Sequence, residues 1–116
     1  MQPNPPLSIE GIKFETGKAK LTSSSSKTLD EAVKILEEYP DLRIEVQGHT
    51  DDVGDDAKNM KLSQDRAEAV VAYFTGKGIA ADRLVAKGYG ETVPEVPNKD
   101  SKSRARNRRV EFKLIQ

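Results

Sequence analysis

The sequence predicts an α/β sandwich: a mixed four-stranded sheet with two main helices packed on one face. Three observations predict it. Apolar and polar residues alternate in four short segments, as half-buried strands require, and two other segments carry apolar residues at helical spacing. Strands and helices also alternate along the chain until a last strand that follows a long loop, an order that suits a mixed sheet with helices on one side. With 116 residues the chain has room for one domain with a real core and not for two.

The elements follow in order. Gln2-Pro3-Asn4-Pro5-Pro6 favours extended polyproline geometry, so residues 1–8 are expected to be a proline-rich linker leading into a domain over 9–116. Ile12 and Phe14 alternate with Lys13 and Glu15 as a short first strand, broken at Thr16-Gly17. The polar run Thr22-Ser23-Ser24-Ser25-Ser26 precedes Leu29, Ala32, Val33 and Leu36 at i, i+3, i+4, i+7. It is expected to supply the N-cap hydroxyl of an amphipathic helix ending at Tyr39-Pro40.

Leu42, Ile44 and Val46 then alternate with Arg43, Glu45 and Gln47 until Gly48 ends a second strand. An acidic loop with Asp51, Asp52, Asp55 and Asp56 leads to a second helix, with Ser63 as N-cap and Ala67, Val70, Val71 and Phe74 as its buried stripe. Gly76 and Gly78 stop it. Leu84 to Tyr89 form a third strand, Gly90 to about Arg106 a loop with little helical pattern, and Val110, Phe112 and Leu114 a last strand.

Composition removes several function classes. With 19 basic and 19 acidic side chains the net charge is near zero, so bulk attraction to nucleic acid or anionic lipid is not expected. The absence of cysteine excludes disulfides and thiolate metal sites. No stretch approaches the roughly 20 apolar residues of a membrane span, and the N-terminus lacks the basic and apolar regions of a secretory signal. The chain reads as a fragment of a longer exported protein.

The informative stretch joins the end of the second strand to the second helix: Gly48-His49-Thr50-Asp51-Asp52-Val53-Gly54, then Asn59, Leu62-Ser63 and Arg66-Ala67. Asp51 at a strand end and Arg66 in a helix's first turn can face one crevice outside the sheet, where α/β proteins commonly bind ligands. One carboxylate and one guanidinium suit a zwitterion. A cation in a first turn faces the positive end of the helix dipole at a cost of about 0.3–1 kcal/mol, which a ligand carboxylate would offset. An isolated Asp and Arg would more often form a structural ion pair, Arg66 bracing the loop through Asp51 or Asp65.

Together these segments resemble the signature of the OmpA-like C-terminal peptidoglycan-binding domain family, also found in peptidoglycan-associated lipoprotein and flagellar motor stator proteins. The later parts of that signature occur in order: Gly78-Ile79, Arg83-Leu84, Gly88-Tyr89-Gly90-Glu91, Pro94, Asn98, and Arg104 through Asn107-Arg108-Arg109-Val110. The resemblance runs from about Ile9 onward, and many spacings agreeing at once make it specific.

It implies non-covalent binding of the peptide stem of peptidoglycan through its diaminopimelate residue, anchoring an outer-membrane or envelope protein to the cell wall. The implied place is the periplasm, with membrane attachment only through other parts of the parent protein, and no cofactor and no nucleic acid. By the same resemblance Asp51 takes the ligand ammonium and Arg66 its carboxylate. Thr50, Asn59, Leu62 and Ala67 belong to the pocket, and one of Arg108 and Arg109 reaches toward the ligand. Ser103, where the family often has glycine, and Glu15, where it usually has aspartate, are departures that bear on the last loop and the first strand.

Other readings are weaker. His49 is the single histidine, so a zinc site would need an all-oxygen remainder and a hydrolase would lack a plausible triad, and His49 is expected to be a hydrogen-bonding structural residue. The acidic loop lacks EF-hand spacing, and the run Arg104, Arg106, Arg108, Arg109 lacks aromatic residues to stack bases. Gly88-Tyr89-Gly90 is too short for a phosphate loop and is expected to set a turn. The alternative function is a protein–protein interaction module of the cell envelope with a structural ion pair. A wall hydrolase, the third class, is not expected.

Overall fold

A computed structural model describes residues 14, 19–23, 25–92 and 97–115. Helix α1 (Ser25–Glu38) is followed by strand β1 (Ile44–His49), helix α2 (Asp56–Gly76), a short 3-10 turn (Ala81–Arg83), strand β2 (Leu84–Gly90), helix α3 (Ser101–Asn107) and strand β3 (Arg109–Leu114). The strands are ordered β2-β1-β3, with β2 parallel and β3 antiparallel to the central β1. Among the described residues the sheet is therefore mixed but three-stranded, not four-stranded. Of the expected first strand, Phe14 makes only an isolated antiparallel bridge with Leu21, and Ile12 lies outside the described residues, as does the expected linker 1–8.

The core forms where the periodicities place it. Leu29, Ala32, Val33 and Leu36 of α1 meet Ala67, Val70 and Phe74 of α2 and the inward side of the strands, Ile44, Val46, Leu84 and Val110. Val71, expected in the stripe, is only partly buried, and Phe112 tilts against Phe74 with ring centroids 5.8 Å apart. Helix α1 begins after Thr22, whose carbonyl accepts from the Ser25 amide; Ser24, the residue just before it, lies outside the described ones. At its far end Arg83 donates to the carbonyl of Leu36 in the last turn, which a helix end leaves open, and to those of Tyr39 and Leu42 just beyond it.

Two helix assignments need correction. The second helix starts at Asp56, not after Ser63: Asp55 is the N-cap, its carboxylate accepting from the Lys58 amide at 3.0 Å. The first two turns are mostly exposed, so no apolar stripe announces them. Ser63 instead joins helix to sheet, its fully buried hydroxyl donating to the Met60 carbonyl at 2.8 Å and accepting from the Gly90 amide at 2.9 Å. Secondly, the long loop after Gly90 contains α3, which is started by a capping box of Asp100 and Ser103 and carries no large apolar residue.

Candidate functional site

Strand β1 delivers Thr50 and Asp51 to the end of the sheet. The Thr50 amide donates to the Gly90 carbonyl at 2.8 Å, and its hydroxyl donates to the Asp51 carbonyl at 2.9 Å, so the backbone leaving β1 is held on both sides. Asp51 Oδ1 accepts from the Val53 amide at 3.0 Å, an Asx turn that aims the carboxylate. Asn59 on α2 donates through Nδ2 to the Val53 carbonyl at 3.0 Å and closes the loop from the other end. The other oxygen of Asp51 pairs with Arg108 Nη1.

Arg66 comes from α2. Its guanidinium lies over the Phe14 ring, 5.0 Å from the centroid, a cation–π contact that holds one face of the group. Burial pulls its pKa below the ordinary arginine value, the neighbouring charge of Arg108 adds to that, and the negative charge of Asp51 opposes it. Arg66, Arg108 and Asp51 thus share one electrostatic neighbourhood, although they come from α2, the α3–β3 junction and the end of β1. The first-turn argument for Arg66 does not stand, because a helix starting at Asp56 puts Arg66 almost three turns in, beyond the reach of the dipole. What burdens its charge is burial beside another cation.

The remaining expected residues divide. Leu62 is half-buried on the same helix, whereas Ala67 is fully buried and its side chain belongs to the core. Of the two candidate arginines, Arg108 turns to Asp51. Arg109 pairs with Glu111 at 2.7 Å and donates to the Asn107 carbonyl at 3.3 Å, on the other side of the sheet.

Three supporting contacts were not anticipated from the sequence, although Arg104, Asn98 and Asn107 belong to the motif series and Phe14 to the expected first strand. Arg104 pairs with Asp52 at 3.3 Å and ties α3 to the loop after Asp51. Asn107, fully buried, donates to Asn98 Oδ1 at 2.8 Å and fixes the end of α3. Phe14 under Arg66 is the third.

His49 has the structural setting expected of it. It is buried, stacks on Tyr89 with centroids 5.3 Å apart, and meets Gln47 Oε1 at 3.3 Å through Nε2. Burial, helped by the Arg109 charge and opposed by Glu111, depresses its pKa to about 4. Among the described residues no group of three or more His, Asp or Glu is placed to hold a metal ion, and no helix is long and apolar enough to cross a membrane.

Residues 13–108 match the model of the OmpA family. Over 100 residues the chain is 40% identical to outer membrane porin F of Pseudomonas fluorescens, covering 86% of this chain and 31% of that protein. It is also 44% identical over 109 residues to a protein of Gloeobacter violaceus named photosystem I P700 chlorophyll a apoprotein A2, covering 89% of this chain but 12% of that one. The chain thus spans well under two thirds of the length of either relative. The fold is similar to the crystal structure of the peptidoglycan-associated lipoprotein from Burkholderia pseudomallei, with TM-score 0.79, 27% identity, and coverage of 89% of this chain and 86% of that one. It is likewise similar to the C-terminal domain of Helicobacter pylori MotB, with TM-score 0.84, 26% identity, and coverage of 94% and 86%.

Proposed function

The chain belongs to the OmpA family, and we propose that it binds peptidoglycan non-covalently through the diaminopimelate residue of the peptide stem, anchoring its parent protein to the cell wall. Its setting is the periplasmic side of the envelope, in keeping with relatives that are an outer membrane porin, a peptidoglycan-associated lipoprotein and a periplasmic MotB domain. The family is one of binding domains and not of enzymes.

A single arrangement supports the reading: Asp51, a buried carboxylate, follows Gly48 by three residues, Arg66, a half-buried guanidinium, follows Ser63 by three, and Gly48 and Ser63 are in backbone contact. Diaminopimelate has a peptide-free end with an ammonium and a carboxylate on one carbon. Asp51 takes the ammonium and Arg66 the carboxylate, through a charge-assisted and potentially bidentate contact. Thr50 and Asn59 hold the backbone around Asp51 in place, Leu62 borders the site, and Arg108 stands where a second guanidinium can reach the ligand.

The test is co-sedimentation with purified sacculi. Asp51→Ala and Arg66→Ala should each weaken binding by about 2–5 kcal/mol, because the surviving partner is left partly desolvated and unpaired. Undiminished sedimentation of both variants contradicts the clamp.

The Asp51–Arg108 pair favours a second reading, in which the ion pair is a brace and the surface meets a protein partner. That reading predicts partner binding that wall fragments do not compete away. A wall hydrolase would release sugar or peptide products from the same sacculi.

A further inference from the structure

Both oxygens of the Asp51 carboxylate are engaged, but by partners of different kinds. Oδ1 is held by the Val53 amide, which is part of the loop backbone, while Oδ2 is held by Arg108, a long side chain 47% exposed against 9% for Asp51. The backbone contact is fixed by the Asx turn and by Asn59 behind it. The arginine contact is the one that can be exchanged: the Arg108 side chain is about half exposed and has other rotamers that lead to solvent, whereas the loop backbone has none. An ammonium arriving at Oδ2 meets the place that Arg108 already fills.

We propose that Arg108 is an internal counter-ion that makes the site selective for a zwitterion over a simple ammonium. The inference rests on the proposed diaminopimelate reading. Among the described residues, Arg108 pairs with Asp51 and the charges of both Arg108 and Asp51 bear on Arg66. A zwitterionic end brings its ammonium to Asp51 and its carboxylate to the displaced Arg108 and to Arg66, so every charge is re-paired. A ligand with an ammonium alone must remove Arg108 from Asp51 and give it nothing in return. Arg66 lies over the Phe14 ring, while Arg108 is the guanidinium paired with Asp51 Oδ2. Selectivity thus comes from competition as well as from attraction.

The experiment compares two disaccharide-tetrapeptide muropeptides, with meso-diaminopimelate or lysine at the third position, titrated into the wild-type chain, Arg108→Gln and Arg108→Lys. Wild type should prefer the diaminopimelate form. In Arg108→Gln the lysine form should bind about fivefold more tightly than to wild type and the diaminopimelate form about tenfold more weakly. Arg108→Lys, which keeps the charge, should still reject the lysine form. The guanidinium 15N signal of Arg108 should shift on saturation with the diaminopimelate form.

A parallel loss for both forms in Arg108→Gln, or unchanged affinities, overturns the exchange while leaving the clamp standing. A wild-type protein that binds neither form, or both equally, overturns the clamp itself and the exchange with it.

Discussion

Gly48 and Ser63 are in backbone contact: a Cβ built on Gly48 would stand 2.1 Å from the Ser63 carbonyl oxygen. This closeness lets α2 lie directly on β1, and it sets the distance between Asp51, three residues beyond Gly48, and Arg66, three residues beyond Ser63. Gly88 on β2 repeats the arrangement, with a Cβ 2.4 Å from the Gln64 amide nitrogen. The sheet presents two side-chain-free places to the helix, and the site sits just past them.

Gly48→Ala should therefore cost about 3 kcal/mol or more, since the obstacle is backbone and cannot rotate away. Urea denaturation measures it. Any folded fraction should also bind muropeptides more weakly, because α2 must lift and carry Arg66 from Asp51. Wild-type stability would show that helix and sheet are not in such contact.

What could be read from the sequence, and what could not, follows from how local each cause is. Strands β1 and β3 were legible because Ile44, Val46, Val110 and Phe112 alternate against charged neighbours, and α1 because four apolar residues fall on one stripe. The first two turns of α2 were not, because Ala57, Lys58, Asn59, Met60 and Lys61 carry no stripe; Asp55 as a cap was the available cue. Helix α3 is similar: Asp100 and Ser103 at capping spacing announce it, but no apolar pattern follows. Asp51 and Arg66 were singled out by resemblance. The choice between Arg108 and Arg109 was not, since it depends on where α3 ends and β3 begins: Arg108 is the C-cap of α3 and Arg109 the first residue of β3, opposite His49. Phe14 under Arg66 is a contact between distant segments and leaves no local trace.

Arg83 donates three hydrogen bonds, to the carbonyls of Leu36, Tyr39 and Leu42, at the end of α1. Arg83→Ala should lower stability by about 2 kcal/mol, and Arg83→Lys should recover only part, because one ammonium cannot reproduce the planar fork. Chemical denaturation of the two variants checks both. Equal stability of Arg83→Ala and wild type would mean these carbonyls are satisfied otherwise.

His49 gives the protein a pH dependence with a definite sign. Its pKa falls from an ordinary 6.5 to about 4 in the folded state, chiefly through burial. Between those values the unfolded chain binds the proton and the folded one does not. The His49 contribution is complete above pH 6.5, declines as pH falls, and is lost by about pH 4. The full effect is on the order of 3 kcal/mol. Denaturation midpoints from pH 4 to 7 should rise with pH, and His49→Gln should flatten that rise whatever its effect on absolute stability. An unchanged slope in the variant would contradict the assignment.

The central claim is that Asp51 and Arg66 together recognise the two opposite charges at the free end of diaminopimelate. The most direct measurement is calorimetric titration of the wild-type chain with a diaminopimelate muropeptide and, separately, with its lysine counterpart, which lacks the distal carboxylate. The predicted result is saturable binding of the first and at least about tenfold weaker binding of the second, a difference of about 1.4 kcal/mol. Equal affinity for the two would contradict the account.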